Sequence, residues 1–439
     1  VAGASDNPVE ANDKPGLATL GYWAFLAFLP SSLMLCVTSK ISTDLGSFPL
    51  VWVVPLALYL LTFVLVFSSR SRLTSDRLYR LLPVAIGILV YFSLKSTASL
   101  IGFVMLLSAF FFVGLLAHRV LFERRPDARH LTVFYLTMSV GGALGGLFNS
   151  IFAPLVFDRL LEFPVTIALI ALLLLARPAA NVGRDLAIGV AFGLLTLVPL
   201  LLDFDVLDQR DGQGKALIAL FVLLMAFAFF KTKPVVTVTA TVATLVIWSF
   251  FGRGDLLFLD RSFFGVHRVV QRDDYREYWN GTTIHGVQIN DQTGPRPTPT
   301  AYYHPKGLMG QIFSSERGEK ARSVGVVGLG IGGLACYSRP GQDWNYYEID
   351  QKVIDIASDP TLFTFMRDCA GDGQVHVGDA RIVLQDQKDV TFDMLVIDAY
   401  GSDAIPVHLA TAEAIQLYLD RLSSDGILIF HISNRFYDL

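Results

Sequence analysis

Apolar residues dominate the chain up to about residue 250, and an ordinary mixture of polar and apolar residues follows. Within the apolar part, stretches of about the length that a bilayer requires are separated by short segments with charged or turn-forming residues. These stretches are residues 17–38, 48–68, 79–97, 99–121, 131–153, 161–177, 186–202, 215–230 and 234–251. The pattern predicts a disordered lead-in at 1–16 and a transmembrane domain of about nine helices at 17–252.

Arginines between the predicted spans indicate an orientation. They cluster in the loops after the second and the fourth span, namely Arg70, Arg72, Arg77, Arg80, Arg119, Arg124, Arg125 and Arg129. Because cytoplasmic loops carry an excess of Lys and Arg, both loops are predicted to be cytoplasmic in the inner (plasma) membrane of a bacterium. With nine spans, the part after residue 252 then lies outside the cytoplasm, and a change of one span would reverse its side.

The composition excludes several classes of protein. The 439 residues are 53% hydrophobic, with a mean hydropathy of +0.50, which is far above the usual value for a soluble enzyme. The net charge is only −4 and no basic stripe with interleaved aromatic residues is present, so nucleic acid is not an expected partner. The predicted spans hold almost no ionisable side chains away from their ends, which disfavours ion-coupled transport. The lipid bilayer is the expected partner of the apolar part of the chain, up to about residue 250.

The cysteines do not suggest a metal site. Cys36, Cys336 and Cys369 have neither C-x-x-C nor Cys/His ligand spacing, so we expect no metal and no disulfide framework. Cys336 and Cys369 would pair only if the fold brought them together in an oxidising compartment.

A small β-hairpin subdomain is predicted at 253–314. Residues Phe263 to Gln271 alternate between apolar and polar positions like a strand, and Asn280-Gly281 is typical of a hairpin turn. The proline-rich segment 293–300 can be neither a helix nor a central strand. We expect this stiff loop to deliver Tyr302 and Tyr303 to a fixed place.

The pattern at Val324–Asp350 is typical of a nucleoside-binding βαβ unit. An apolar strand leads into a turn with Gly328, Gly330 and Gly332, and the next strand ends at Glu348. Glycines at a strand exit allow a tight turn and let a ligand approach the backbone, and we expect them to open a helix. The acidic residue at the tip of the second strand can accept hydrogen bonds from both ribose hydroxyls.

Two further strand exits carry acidic residues. Val375–Val377 is followed by Gly378, Asp379 and Ala380, and Phe392–Ile397 is followed by Asp398. In an open α/β sheet these exits converge on one crevice, so a Rossmann-like domain is predicted at 315–439. No Lys or Arg lies between residues 324 and 338 to meet a phosphate. We therefore prefer an adenosyl-sulfonium ligand to a dinucleotide, with Asp379 accepting from the adenine amino group.

Residues 255–439 resemble spermidine synthase, in the membrane-fused form described as fused transporter/spermidine synthase-like proteins. The resemblance implies a multi-span α-helical membrane domain, a small β subdomain and an α/β Rossmann-like domain of the class I methyltransferase/spermidine synthase-like type. It also implies a role in polyamine biosynthesis as a transferase. An aminopropyl group would pass from decarboxylated S-adenosylmethionine to a small amine acceptor by direct displacement.

The resemblance assigns roles to individual residues. Asp398 matches the base or the group that orients the amine, and Asp403 matches a second acceptor-binding carboxylate. Glu348 matches the ribose binder, and Asp379 and Ala380 match the adenine contacts. The remaining matches are contacts to donor and acceptor, made by Gln288, Tyr302 and Tyr303.

The chain also departs from the pattern of polyamine synthases. Ile331 stands in the glycine-rich turn where they carry an aspartate, and the loop before Asp403 is longer. The chain stops just past the predicted strand Ile427–Ile432, so we expect an incomplete C-terminus. Two alternatives therefore stay open beside aminopropyl transfer. One is an S-adenosylmethionine-dependent methyltransferase, in which His431 is a candidate base. The other is a non-catalytic membrane subunit or assembly factor whose degenerate domain docks within a membrane protein complex.

Overall fold

The computed structural model describes most of the chain. The described residues are 14–45, 52–68, 74–94, 99–176, 181–201, 213–229, 233–251, 255–290, 294, 296–400 and 405–432. Asp403 lies outside these residues, as do most of the predicted lead-in and two of the loop arginines, Arg70 and Arg72.

The apolar part of the chain folds into packed helices. Their bounds are α1 Leu17–Leu45, α2 Val53–Phe67, α3 Ser75–Leu94, α4 Leu100–Glu123, α5 Leu131–Leu147, α6 Glu162–Ala171, α7 Val182–Leu195, α8 Gln213–Phe229 and α9 Pro234–Phe251. A π-helical turn at Phe148–Phe152 and a helical turn at Ala153–Val156 extend α5, and a 3₁₀-helix at Leu172–Ala176 extends α6. Buried side chains of α1, α3 and α4 lie at the centre of the helical core, among them Leu26, Ile86 and Phe110.

Four helical stretches are long and apolar enough to cross a membrane, which is consistent with a membrane protein. Among the described residues they are Leu17–Asp44, Ser75–Leu94, Leu100–Glu123 and Ala128–Val156. The other apolar helices are shorter, with at most 18 residues in the described part of the chain. Since a helix rises 1.5 Å per residue, these are shorter than the usual span of about 20 residues. The predicted count of nine spans, and the orientation that depends on it, are therefore not supported.

The part after residue 255 begins with an antiparallel sheet whose strands follow one another in sequence order. The strands are β1 Leu256–Arg261, β2 Val266–Gln271, β3 Tyr275–Asn280 and β4 Thr283–Ile289. Asn280 pairs with Thr283, and Gly281 in the turn between them has a φ of +59°. The predicted hairpin turn is thus present. The strand predicted from Phe263 begins only at Val266, because Ser262 and Gly265 close the preceding turn.

A parallel sheet with helices forms the rest of the chain. Its strand order is β7-β6-β5-β8-β9, with β5 Ser323–Val327, β6 Asp343–Glu348, β7 Gln374–Val377, β8 Phe392–Ile397 and β9 Leu422–Phe430. The helices are α10 Leu308–Phe313, α11 Glu316–Lys320, α12 Gln351–Ser358, α13 Phe365–Cys369, α14 Ala380–Asp386 and α15 Ala412–Asp420. All the pairings are parallel, so the carboxyl ends of the strands meet at one edge of the sheet. A Rossmann-like arrangement was predicted from these strands.

The structure corrects two expectations about the segment after the glycine-rich turn. The turn opens a 3₁₀-helix at Gly333–Tyr337 and not an α-helix, because Gly332 is left-handed and packs against Met366 of α13. Cys336 and Cys369 form a disulfide with a Cα–Cα distance of 4.7 Å. The fold brings the end of α13 beside the 3₁₀-helix, a contact that their separation of 33 residues in the sequence does not reveal.

The antiparallel sheet contacts the helical part at the ends of helices. The Arg261 guanidinium donates from both terminal nitrogens to the Glu162 carboxylate at the start of α6, at 3.0 Å each. In the turn between β3 and β4, the Thr282 hydroxyl donates to the Thr43 carbonyl near the end of α1, at 3.0 Å. Both side chains of the Arg261–Glu162 pair are largely buried, and a bidentate pair of this kind fixes orientation as well as distance.

Candidate functional site

The glycine-rich turn holds the exits of β5 and β8 close together. Gly328 has a φ of +96°, and a Cβ on it would lie 2.3 Å from the Asp398 carbonyl oxygen. Gly330 and Gly332 also have positive φ, of +55° and +80°. Only glycine combines this backbone geometry with so close an approach of two chains. The turn therefore brings the backbone of the first strand exit directly beside Asp398.

Glu348 is buried at the end of β6 and faces the glycine-rich turn. Its two carboxylate oxygens accept from the backbone N–H groups of Leu329 at 2.9 Å and Asp350 at 3.0 Å. Burial raises the pKa of Glu348, and the two backbone donors offset part of that effect. Each oxygen retains a further lone pair, so the carboxylate can still accept from a pair of hydroxyls.

Asp350 connects β6 to the antiparallel sheet. One oxygen caps α12 by accepting from the Lys352 N–H, and the other accepts from the Ser262 hydroxyl and from His267 Nε2 at 3.0 Å. Burial by itself would raise the pKa of Asp350, but the hydrogen bonds from His267 and Ser262 outweigh it and the pKa is lowered. On its other nitrogen, His267 bonds the Tyr278 hydroxyl at 2.8 Å. Ser262 and Asp350 both contact the same nitrogen of His267, so the polar groups of this cluster satisfy one another. The cluster therefore has a structural role.

Asp379 lies at the exit of β7, where it caps α14. One of its oxygens accepts from the Arg381 N–H at 2.9 Å, and the other pairs with His408 Nε2 at 3.0 Å. Ala380 is buried at the first position of the helix. The Arg381 guanidinium donates to the His408 carbonyl at 2.9 Å, so Arg381 and His408 keep the Asp379 carboxylate in place.

Asp398, at the exit of β8, is almost completely buried and pairs with His431. Its Oδ1 contacts His431 Nδ1 at 2.7 Å, and its Oδ2 accepts from the Tyr303 hydroxyl. Tyr302 stacks on the His431 ring at 4.1 Å, and the Tyr400 hydroxyl donates to the His431 carbonyl. Burial raises the pKa of Asp398 although the hydrogen bond with His431 acts against it. Burial and the nearby Asp398 charge also raise the pKa of Tyr302 well above 10.0.

Strand β4 covers the glycine-rich turn and leaves a small, mostly apolar cavity. A Cβ on Gly286 would lie 2.5 Å from the Ile331 side chain, so the strand and the turn are in direct contact. Ile331, Val287 and Phe365 line the cavity together with Tyr302 and Tyr303.

Gln288 lies on the same strand as this cavity, but its amide bonds within the fold. It accepts from the Thr364 N–H at 2.9 Å and donates to the Thr364 hydroxyl at 2.8 Å. This pair joins β4 to the start of α13, which fixes the antiparallel sheet above the crevice. Gln288 is predicted to contact a ligand. Such a contact would be made in addition to its hydrogen bonds with Thr364.

Comparison with known proteins relates the chain to one enzyme. A polyamine aminopropyltransferase from Vibrio vulnificus (strain CMCP6) is 26% identical over 216 residues, which are 47% of this chain and 69% of that protein. The similarity supports a spermidine synthase-like region in the chain, and this name is used for residues 255–439, where the resemblance was predicted. No family model matches the chain. The similarity supports the predicted resemblance of the region and does not bear on its fusion to a membrane domain.

The spermidine synthase-like region brings several of the predicted residues to one sheet edge. Glu348 is the last residue of β6, Asp379 and Asp398 follow β7 and β8, and the glycine-rich turn follows β5 of the same parallel sheet. Asp403 lies outside the described residues. Within the part of the chain that the structure describes, no group of three or more His, Cys, Asp or Glu side chains is arranged to hold a metal ion.

His431, predicted as a candidate base for the methyltransferase alternative, lies beside Asp398 in the structure. The sequence places it just after β9, the strand beside β8, so it lies at the same sheet edge as Asp398. This position in the sequence indicates that His431 lies near Asp398, because neighbouring parallel strands end together. The direct contact with Asp398 was not predictable, since it depends on the side-chain conformations of both residues.

We expect Asp398→Asn to stabilise the folded protein at neutral pH. Burial raises the pKa of Asp398 above its ordinary value of 3.8, so the folded state binds more protons than the unfolded state. Stability is therefore lost as the pH rises from the ordinary pKa through the raised pKa of the folded protein. Asparagine can accept from His431 and donate to Tyr303 without a buried charge. Urea titrations from acid to neutral pH measure the effect.

The control for this experiment is Asp368→Asn. The hydrogen bond from Arg367 lowers the pKa of Asp368, so its carboxylate stabilises the fold above its ordinary pKa and that stability is lost as the pH falls. The control substitution should therefore destabilise the protein slightly at neutral pH. A loss of stability of similar size in both variants would contradict the unfavourable burial of Asp398.

Proposed function

We propose that the crevice at the carboxyl edge of the parallel sheet binds an adenosyl-sulfonium nucleoside and transfers an aminopropyl group from it to an amine. The observation that carries the proposal is the convergence of Glu348, Asp379 and Asp398 on one edge, beside a glycine-rich turn. The relative from Vibrio vulnificus is named for the same reaction, which supports this choice among nucleoside-dependent reactions. Decarboxylated S-adenosylmethionine is then the donor.

The donor would lie across the exits of β5, β6 and β7. Glu348 accepts from the ribose hydroxyls, because its carboxylate is fixed by two backbone donors and keeps free lone pairs. Asp379, held by Arg381 and His408, accepts from the adenine amino group, and Ala380 lies against the base. The backbone of the glycine-rich turn allows the nucleoside to approach closely because it carries no side chains at Gly328, Gly330 and Gly332.

The reaction is a direct displacement at carbon. The amine nitrogen bonds to the aminopropyl carbon while the carbon–sulfur bond breaks, and its electron pair goes to sulfur to give methylthioadenosine. A protonated amine cannot attack, so a base must first remove one proton. Both oxygens of the Asp398 carboxylate have partners, namely His431 and Tyr303. We therefore assign proton removal to the Asp398–His431 pair, with Asp398 orienting the imidazole and Nε2 accepting the proton.

The acceptor end of the site differs from that of a diamine enzyme. Ile331, Val287 and Phe365 make the cavity beside Tyr303 apolar, and Ile331 is packed against Gly286. An isoleucine cannot form the charge-assisted hydrogen bond that a carboxylate makes with a second ammonium group. Methyl transfer from S-adenosylmethionine to an acceptor without a second cation is the alternative reaction that this cavity favours. Tyr302 and Tyr303 would contact the acceptor in either reaction.

A second candidate function follows from the Cys336–Cys369 disulfide. Disulfides persist mainly in oxidising compartments, so the pair favours a location of the spermidine synthase-like region outside the cytoplasm. Nucleoside donors are made in the cytosol, and a domain outside would then serve as a docking module of a membrane protein complex rather than as a transferase.

Ligand binding distinguishes the enzyme from the docking module. We expect calorimetry on the purified full chain to detect binding of methylthioadenosine, decarboxylated S-adenosylmethionine or S-adenosylmethionine. Glu348→Gln should weaken that binding roughly 10- to 150-fold, because it removes a charge-assisted hydrogen bond of about 1.5–3 kcal/mol. Glu316→Gln, on the exposed surface of α11, is the matched control and should bind normally. Failure of all three nucleosides to bind would exclude both transferase functions.

His431→Gln tests the assignment of the base. The variant should bind methylthioadenosine like the unmodified chain but transfer roughly 10²- to 10⁴-fold more slowly, since that is the usual contribution of a general base. His130→Gln, before α5 in the helical part, controls for loss of a histidine. An unchanged rate in His431→Gln would return the role of base to Asp398.

Thiol labelling in intact cells tests the compartment. We expect Cys336 and Cys369 to resist a maleimide–polyethylene glycol reagent until a reductant is added, because the pair is oxidised outside the cytoplasm. Cys369→Ser leaves Cys336 without its partner and should make it reactive without reductant, which controls for access. Rapid labelling of the half-buried Cys336 in unreduced, permeabilised cells would mean a reducing compartment and would favour the transferase over the docking module.

A further inference from the structure

Two adjacent phenylalanines project from the turn between β1 and β2. The side chain of Phe263 is 87% exposed and that of Phe264 is 46% exposed, and their rings touch edge to face at 5.6 Å. A contiguous apolar patch of this kind at the tip of a turn is typical of an interaction site. Neither ring takes part in the proposed nucleoside site, so the function argued above does not account for them.

The turn presents the two rings in a fixed position. The Ser262 N–H donates to the Gly265 carbonyl at 2.9 Å, and the Phe264 N–H donates to the Ser262 hydroxyl at 3.0 Å. A Cβ on Gly265 would lie 2.0 Å from the Asn280 side chain, so this turn is tightly packed on the neighbouring hairpin. The same Ser262 hydroxyl donates to the buried Asp350 carboxylate. The exposure of the rings is therefore a property of an ordered turn.

This turn lies at the end of the sheet that touches the helical part. Arg261, directly before it, pairs with Glu162 at the start of α6, and Thr282 in the neighbouring turn bonds Thr43 near the end of α1. The carbonyl of Ser249, near the end of α9, accepts from Arg159 in the same region. The rings thus lie at the level where apolar helices begin and end, which is the expected position of a membrane surface.

Other exposed aromatic side chains occur at the ends of the same group of helices. Trp52, just before α2, is 52% exposed, and Phe250, near the end of α9, is 60% exposed. Tryptophan concentrates at the boundary between the headgroups and the acyl chains of a bilayer, and segments bound to a membrane surface bury phenylalanine in the same layer. The helix ends and the β1–β2 turn together supply such a belt on one side of the helical part.

We propose that Phe263 and Phe264 insert into the headgroup–acyl boundary of the bilayer and anchor the antiparallel sheet to the membrane surface. The occupant is lipid and not a partner protein, because the turn lies beside exposed aromatic residues at the ends of apolar helices. It is held to the helical part by the Arg261–Glu162 pair, and the neighbouring turn is held by the Thr282–Thr43 bond at the end of α1, a helix long enough to cross a membrane. The sheet would then be attached twice, through its covalent link to α9 and through these two rings. This inference does not depend on the nucleoside chemistry.

Spin labelling of the full chain in lipid nanodiscs tests the proposal. A nitroxide is attached to Phe263→Cys in nanodiscs of phosphatidylcholine and phosphatidylglycerol, and its accessibility to oxygen and to a water-soluble nickel chelate is measured. Ile289→Cys is the matched control, because Ile289 is 47% exposed at the opposite end of the same sheet. The unlabelled background is low, since Cys36 is buried and the other two cysteines are paired.

We expect the ratio of oxygen to nickel accessibility to be several-fold higher at position 263 than at position 289. Equal ratios, with the nickel chelate reaching both labels, would mean that the rings face water and would overturn the proposal. Low access for both reagents at position 263 would mean a protein contact and would overturn it as well. Phe264→Cys repeats the measurement at the neighbouring position, so a local effect of one substitution cannot decide the result.

Discussion

The buried carboxylate of Asp350 is the interaction on which the arrangement of the spermidine synthase-like region depends. It accepts from Ser262 and His267 of the antiparallel sheet, caps α12, and lies two positions after Glu348, whose carboxylate accepts from the Asp350 N–H. A buried charge must be satisfied in this way, and removal of one partner from such a cluster costs about 3–5 kcal/mol. The antiparallel sheet, helix α12 and strand β6 therefore hold one another in register through a single group.

The parts of the fold that could be predicted are those that depend on local patterns. Alternating and β-branched residues marked Val324–Val327 and Phe392–Ile397 as strands, and Asn280-Gly281 marked the hairpin turn. Strand exits in sequence order were sufficient to place Glu348, Asp379 and Asp398 on one edge, because parallel strands share their carboxyl ends. The pairing of Cys336 with Cys369, the Asp398–His431 contact and the Asp350 cluster could not be predicted, since each joins residues far apart in the chain. Helix ends were predicted less well, because an apolar run does not show where its hydrogen bonds end; α1 continues to Leu45, for example, and α2 begins only at Val53.

Ile331 shows how packing and chemistry constrain each other at this site. The sequence marks it as a departure from an aspartate, and the structure shows what surrounds it, namely strand β4 at Gly286 and an apolar cavity wall. A carboxylate at this position would lose its hydration on burial and would have to find donors among these apolar neighbours. The change at Ile331 is therefore consistent with its whole surroundings, and a return to aspartate alone would not recreate a diamine site.

The end of β1 joins the helical part to the candidate site over two consecutive residues. Arg261 is paired with Glu162 of the bundle, and the hydroxyl of Ser262 reaches Asp350, whose backbone in turn donates to Glu348. Bidentate and buried hydrogen bonds of this kind transmit position because they hold in only one geometry. Three successive contacts therefore link the position of Glu348 to the ends of the helices. The spermidine synthase-like region is thus built as a part of the helical protein, and its site geometry follows from that attachment as much as from its own sheet.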